Sequence, residues 1–319
     1  MSNNVEGTYN LGVATSPWRS GVSLKDASTP REGWLKAYPH HLFKMSVAWK
    51  DMETGSPVYG DADGFCAIVR DDGRVLGIHS DRYELVQPSE VFDRYEPLID
   101  SGLVTLETGG SLSGGKRMWV LAKVQGADSD ILPGDPIKGY VLFQESFDGS
   151  LCSGGGFTNI RVVCANTLAM AQADLGLRVK HTKNVHDRLN AYRDEIARAL
   201  NAFRETTEIM QGLARRQVTR HAQELYIREV IAGPASLGLD PDTSARTENK
   251  VDRVIELLDT QRGLELVPAM RGTAWQAYNA ITEYITHEHG RGEDSRLVNQ
   301  WFGPGARDNR KALQLATRL

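Results

Sequence analysis

The glycine-rich run "SFDGSLCSGGG" (146–156) leads into "FTNIRVVCANTLAMA" (157–171), where Cys164 and Asn166 stand at the apparent start of a helix. A cysteine there could be a nucleophile, because a helix N-terminus lowers the thiol pKa and the thiolate is the reactive form. Strand alternation argues otherwise. It puts Ile160, Val162 and Cys164 on one face and Asn159, Arg161 and Val163 on the other. Cys164 then points with the aliphatic residues, as a buried inert thiol does. Asn166 reads as the helix N-cap, its side chain accepting from a free backbone amide. The rival enzyme reading, with Cys164, Asn166 and one of His181 or His287 converging on a pocket, stays open as an alternative.

"GGSLSGGKR" (109–117) has most of a phosphate loop: Gly110, four residues, Gly115 and Lys116. Arg117 stands where magnesium binding needs Ser or Thr. A strand, not a helix whose N-terminus could hold phosphate, follows it. The segment is expected to be a hairpin tip. The histidines show no i,i+4 pair with a nearby glutamate, and His287-Glu288-His289 closes a helix, where histidine favours the carbonyl end. No catalytic residue, metal site or cofactor is expected from these patterns.

A different chemistry emerges from the strands. In "RMWVLAKV", Arg117, Trp119, Leu121 and Lys123 share one face. In "IKGYVLFQESF", Lys138, Tyr140 and Gln144 do the same, and Asn159 and Arg161 extend the set. With Lys116 at the hairpin tip, cations alternate with aromatic rings. Single-stranded nucleic acid needs that mixture, since cations meet phosphates and each stacked base is worth about 1–3 kcal/mol. The bland alternative is that helices cover this face and make Trp119 and Tyr140 ordinary core.

These residues need a scaffold. "FCAIVR-DDG-RVLGI" is a hairpin around Asp72-Gly73. "PSEVFDRYEPLIDSG" is a helix opened by Pro88 and closed by Gly102. The strands "LVTLET", "KRMWVLAKV", "IKGYVLFQESF" and "FTNIRVVC" then follow without crossover helices, so the sheet is mostly antiparallel. "ANTLAMAQADLG" is read as the next helix. From Lys183 to about Ile231 the spacing of Leu189, Tyr192, Ile196, Leu200, Phe203, Met210 and Leu213 predicts a long helical region with a narrow seam. That seam packs on the sheet, closes a hairpin or joins subunits. Helices at about 246–260, 272–287 and 305–318 complete the chain.

The fold class is therefore α+β: an antiparallel β-meander packed with helices, followed by a mostly helical C-terminal region. Three parts are expected: an irregular N-terminal arm over 1–60 with a weak helical signal near "HLFKMSVAWK", a sheet core over 61–180, and a helical region over 181–319. The net charge of -4 assigns any polyanion contact to a local basic surface. Three cysteines without a CxxC pair argue against a disulfide framework and for a reducing compartment. The N-terminus shows no signal peptide, and no apolar run spans a bilayer, so a cytoplasmic protein is expected.

"YELVQPSEVFD", "DGS…TNIRVVCANTLAMA" and "GTAWQAYNAITEYITHEHG", in that order, resemble the phage/plasmid-like proteins grouped under domain of unknown function 932. The resemblance spans roughly 35–315, and the "RVVCANT" and "TAW…NA…TEY…H" blocks are its most specific parts. It implies an origin in bacteriophages, plasmids or their hosts, and no assigned activity. In architecture alone, a helix and three-stranded meander followed by long helices is similar to single-strand annealing proteins of phage recombination, which form rings or filaments. The expected function is binding, and in its fuller form annealing, single-stranded nucleic acid as a homo-oligomer. A phage–host interaction protein that blocks a defence complex is the third reading.

Overall fold

The computed structural model describes residues 21–50, 59–164, 166–168, 177–179, 193–238 and 243–319. The chain divides into two units, the first made of residues 1–125, 141–156 and 175–196. The second comprises 126–140, 157–174 and 197–319.

In the first unit, β2 (Leu42–Lys50), β3 (Tyr59–Arg70) and β4 (Val75–Ser80) form a three-stranded antiparallel sheet. Gly73, at φ 85°, turns the β3–β4 hairpin in a conformation that a side chain would strain. The expected arm is thus partly built into the fold. β1 (Val22–Ser23) pairs with β5 (Val104–Leu112), and α1 (Pro30–Ala37) starts at Thr29, whose hydroxyl accepts from Glu32 N. "HLFKMSVAWK" is strand β2, not helix: it pairs antiparallel with β3, Leu42 opposite Arg70 and Met45 opposite Ala67. The helix expected from Pro88 to Gly102 is two short ones, α2 (Pro88–Asp93) and α3 (Glu96–Asp100). Pro97, which has no N–H to donate to a preceding turn, stands in the first turn of the second.

A larger sheet has the order β1-β5-β6-β7-β8-β10, with β9 on β8. Its remaining strands are β6 (Arg117–Asp130), β7 (Pro136–Ser146), β8 (Ser153–Arg161), β9 (Asn166–Leu168) and β10 (Leu177–Val179). The near-phosphate loop is the β5–β6 hairpin tip, with Ser113, Gly114 and Gly115 at positive φ.

The helices of the second unit are α4 (Arg193–Arg215), α5 (Arg220–Ala232), α6 (Ala245–Thr260), α7 (Ala274–Glu283), α8 (Glu293–Phe302) and α9 (Pro304–Ala316). α7 runs on into a π turn over Tyr284–Glu288. The long helical region breaks at 216–219 into α4 and α5, and residues 183–192, with Leu189 and Tyr192, lie outside the described residues. Phe203, Met210 and Leu213 of the seam are buried within the chain. All ten residues of α7 are buried, as expected of a helix without a charged face. The architecture is α+β with a mostly helical C-terminal region. Among the described residues no helix is long and apolar enough to cross a membrane.

Candidate functional site

In the second unit β8 does not feed a helix. It turns back over Val162–Cys164 and pairs antiparallel with β9, Arg161 facing Asn166 across the ladder. Asn166 is therefore a strand residue and not an N-cap; 169–176, the remainder of the expected helix, lie outside the described residues. The hairpin is clasped by α7. Arg161 Nε donates to Asp135 Oδ1 at 2.5 Å, and Nη1 donates to Asn279 Oδ1 at 3.3 Å. The Arg161 guanidinium carbon lies 5.7 Å from the Trp275 ring centroid, while Trp275 Nε1 donates to Asp135 Oδ2 at 2.8 Å. The cation is thus held by a carboxylate, an amide and a ring face, the fork geometry that suits arginine and not lysine.

Next to it, Asn166 Nδ2 donates to Thr282 Oγ1 at 3.2 Å, and Thr167 N donates to Thr286 Oγ1 at 3.2 Å. His287 Nδ1 faces Arg262 Nη1 at 3.2 Å, and since a guanidinium can only donate, Nδ1 accepts. The proton sits on Nε2, 3.0 Å from Cys164 O and 3.1 Å from Asn166 Oδ1. Gly263, at φ 79°, presses on this turn: a Cβ there would come 2.9 Å from Val163 Cγ2.

Cys164 is 3% exposed. Burial pushes its thiol up to about 11, with the Arg161 charge working the other way. At neutral pH it is a protonated core thiol, but not by the expected alternation: β8 ends at Arg161, Val162 is 44% exposed and Arg161, placed on the other face, is wholly buried. Cys164, Asn166 and His287 do come together, but through the Cys164 carbonyl and not its sulfur. Burial also raises the Glu283 carboxyl, against the hydrogen bond it accepts from Arg262 N at 2.9 Å. Among the described residues no group of three or more His, Cys, Asp or Glu is placed to hold a metal ion.

The proposed strand face needs correction. Trp119, Tyr140, Asn159 and Arg161 are buried at 1%, 2%, 0% and 0% exposure, so no accessible face carries them. The whole runs Met118–Ala122 and Gly139–Phe147 are buried, both faces included. A strand covered on both sides reads as a continuous apolar run, and "MWVLA" is one. Of the cations, Lys116 is exposed, while Arg117, Lys123 and Lys138 are half-buried. Arg117 Nε donates to Ser150 Oγ at 2.9 Å and lies 3.9 Å from Asp148 Oδ2, so part of its charge is already answered.

A second set of cations does reach the surface together, at the α4–α5 connection. Ala274 N donates to Arg216 O at 3.0 Å, and Val218 N donates to Gly272 O at 2.8 Å. Gln217 bridges Thr273, and Arg216 Nη1 donates to Thr317 O at 2.9 Å. These bonds gather Arg215, Arg216, Arg271 and Arg318 at one end of the unit, all four exposed. None of them forms an ion pair among the described residues. The run "ARRQVTR" signalled part of this cluster in the sequence; Arg271 and Arg318 are brought in only by the fold.

The sequence model of a family described as a domain of unknown function, DUF932, matches residues 75–318. The chain belongs to the DUF932 family. The match contains the blocks "RVVCANT" and "TAW…NA…TEY…H", which form the two sides of the Arg161 centre. All four clustered arginines also fall within the DUF932 region, whereas β1, α1, β2 and β3 precede it. No curated protein and no solved structure matches the chain.

Proposed function

We propose that this DUF932 protein binds single-stranded nucleic acid, and that its contact surface is the arginine cluster Arg215, Arg216, Arg271 and Arg318. The observation that carries the reading is four exposed guanidinium groups, without acidic partners among the described residues, drawn from three separate segments. On a chain of net charge -4 such a concentration of one sign is local and not a consequence of composition. Guanidinium groups serve single strands twice, pairing bidentately with phosphate and stacking on unpaired bases. The Arg161 centre, closed and satisfied, supports the scaffold and not the contact. Annealing and assembly in replication or recombination would be uses of such a surface.

The test is fluorescence anisotropy with labelled single- and double-stranded oligonucleotides across a salt series. Arg215→Ala with Arg271→Ala, which spares the Arg216 hydrogen bond, should lower the log–log salt slope by about 0.7 for each phosphate that is no longer neutralised. Unchanged affinity and slope would remove the cluster from consideration. The host-interaction reading would gain if the unaltered protein bound neither kind of strand.

A further inference from the structure

The three-stranded sheet of the first unit has one face on the core and one in solvent, and the solvent face is not polar. Phe43, Met45, Phe65, Val75 and Ile78 are 51%, 52%, 56%, 53% and 60% exposed. They share a side: Met45 pairs with Ala67 and Ala67 with Ile78, while Phe43 pairs with Val69 and Val69 with Val75. Between Phe43 and Met45, Lys44 turns to the opposite side, its Nζ donating to the carbonyls of Asp81 and Tyr83. The apolar rows are therefore uninterrupted by charge. Exposed charges lie beyond these rows: Asp81 and Arg82 follow the end of β4, and Asp61 and Asp63 lie on β3 before Phe65, on the side away from its hairpin with β4.

We infer that this face docks on the same face of a second copy of the chain, forming a two-fold dimer by sheet-on-sheet packing. Size argues for that occupant. Five large side chains a little over half exposed, at roughly 200 Å² each when free, offer about 500 Å² of apolar surface. A standard interface takes about 800 Å² from each partner, and about 65% of a homodimer interface is apolar, which is about 520 Å². Charge argues for it too. The paired rows Phe43–Val69–Val75 and Met45–Ala67–Ile78 carry no charge that would select an oppositely charged partner, and along them two identical copies meet without like-charge repulsion. Aligned sheets pack about 10 Å apart through such interdigitating rows. The inference is independent of nucleic-acid binding, which uses other residues.

The experiment is multi-angle light scattering of the full chain over a dilution series. It compares the unaltered protein, Met45→Lys with Ile78→Lys, Met45→Glu with Ile78→Glu, and an equimolar mixture of the two variants. The unaltered chain should run at dimer mass and dissociate on dilution, and hydrogen exchange across β2–β4 should slow as concentration rises. Each variant should be monomeric with unchanged thermal unfolding, since both positions are exposed, and the mixture should regain dimer mass. A monomer at every concentration, or a Lys variant that assembles like the unaltered chain, overturns the inference. Retained single-strand binding by the monomeric variants separates this outcome from any failure of the arginine cluster.

Discussion

The Arg161 guanidinium and the Asp135 carboxylate meet at 2.5 Å with both side chains wholly buried, and they join β8 to the loop before β7. Neither charge has water to fall back on. Removing one partner of such a pair strands the other, which costs about 3–5 kcal/mol. Arg161→Gln and Asp135→Asn should each show a loss of this size in chemical denaturation. The double variant should lose much less than the sum. Additive losses would mean that the two groups do not act as a pair.

Cys164 should behave as a core thiol. Cys164→Ala should destabilise, and Cys164→Ser should destabilise more, by about 1–3 kcal/mol, because it buries a hydroxyl. Half-buried Cys152 should react with a thiol reagent in the native state before Cys66 and Cys164, both of which are buried. Rapid modification of Cys164 would instead revive a thiolate chemistry at the hairpin.

Glu283 supplies a pH dependence with a definite sign. Its folded carboxyl is raised above the ordinary 4.5 by burial. Between that value and its folded pKa, the folded state holds more protons than the unfolded state. Stability from this group therefore falls as pH rises through the window, and the loss persists above it. Glu283→Gln should flatten this part of the denaturation profile. A variant with the same pH profile as the unaltered protein would show that the carboxyl titrates normally.

The hairpin tip provides a comparison surface. Lys116→Ala with Arg117→Ala should change the single-strand salt slope less than Arg215→Ala with Arg271→Ala, because Arg117 is already engaged by Ser150 and Asp148. A larger effect at the tip would return the binding surface to the β5–β6 hairpin.

Local chemistry made some of these elements legible in the sequence. Asp72-Gly73 allowed the β3–β4 turn, and the helix expected at about 246–260 is α6. Other signals conflicted with distant contacts. "CANTL" looks like a capped helix because an asparagine precedes apolar residues, yet Asn166 spends its amide on Thr282, 116 residues away. "HLFKMSVAWK" has weak helical spacing, but pairing with β3 makes it a strand.

The sequence by itself determined the α+β class and the antiparallel order of the central strands. Those follow from propensity and period, which act over a few residues. Tertiary structure decided which faces are covered. Alternation sorted Trp119 and Tyr140 from Val120 and Val141, but all four are buried, because what packs on a strand comes from elsewhere in the chain. The same is true of Asp135, which no local pattern ties to Arg161 or to Trp275, 140 residues further on. A buried charge needs a partner, but the physics that demands one does not say where along the chain it stands.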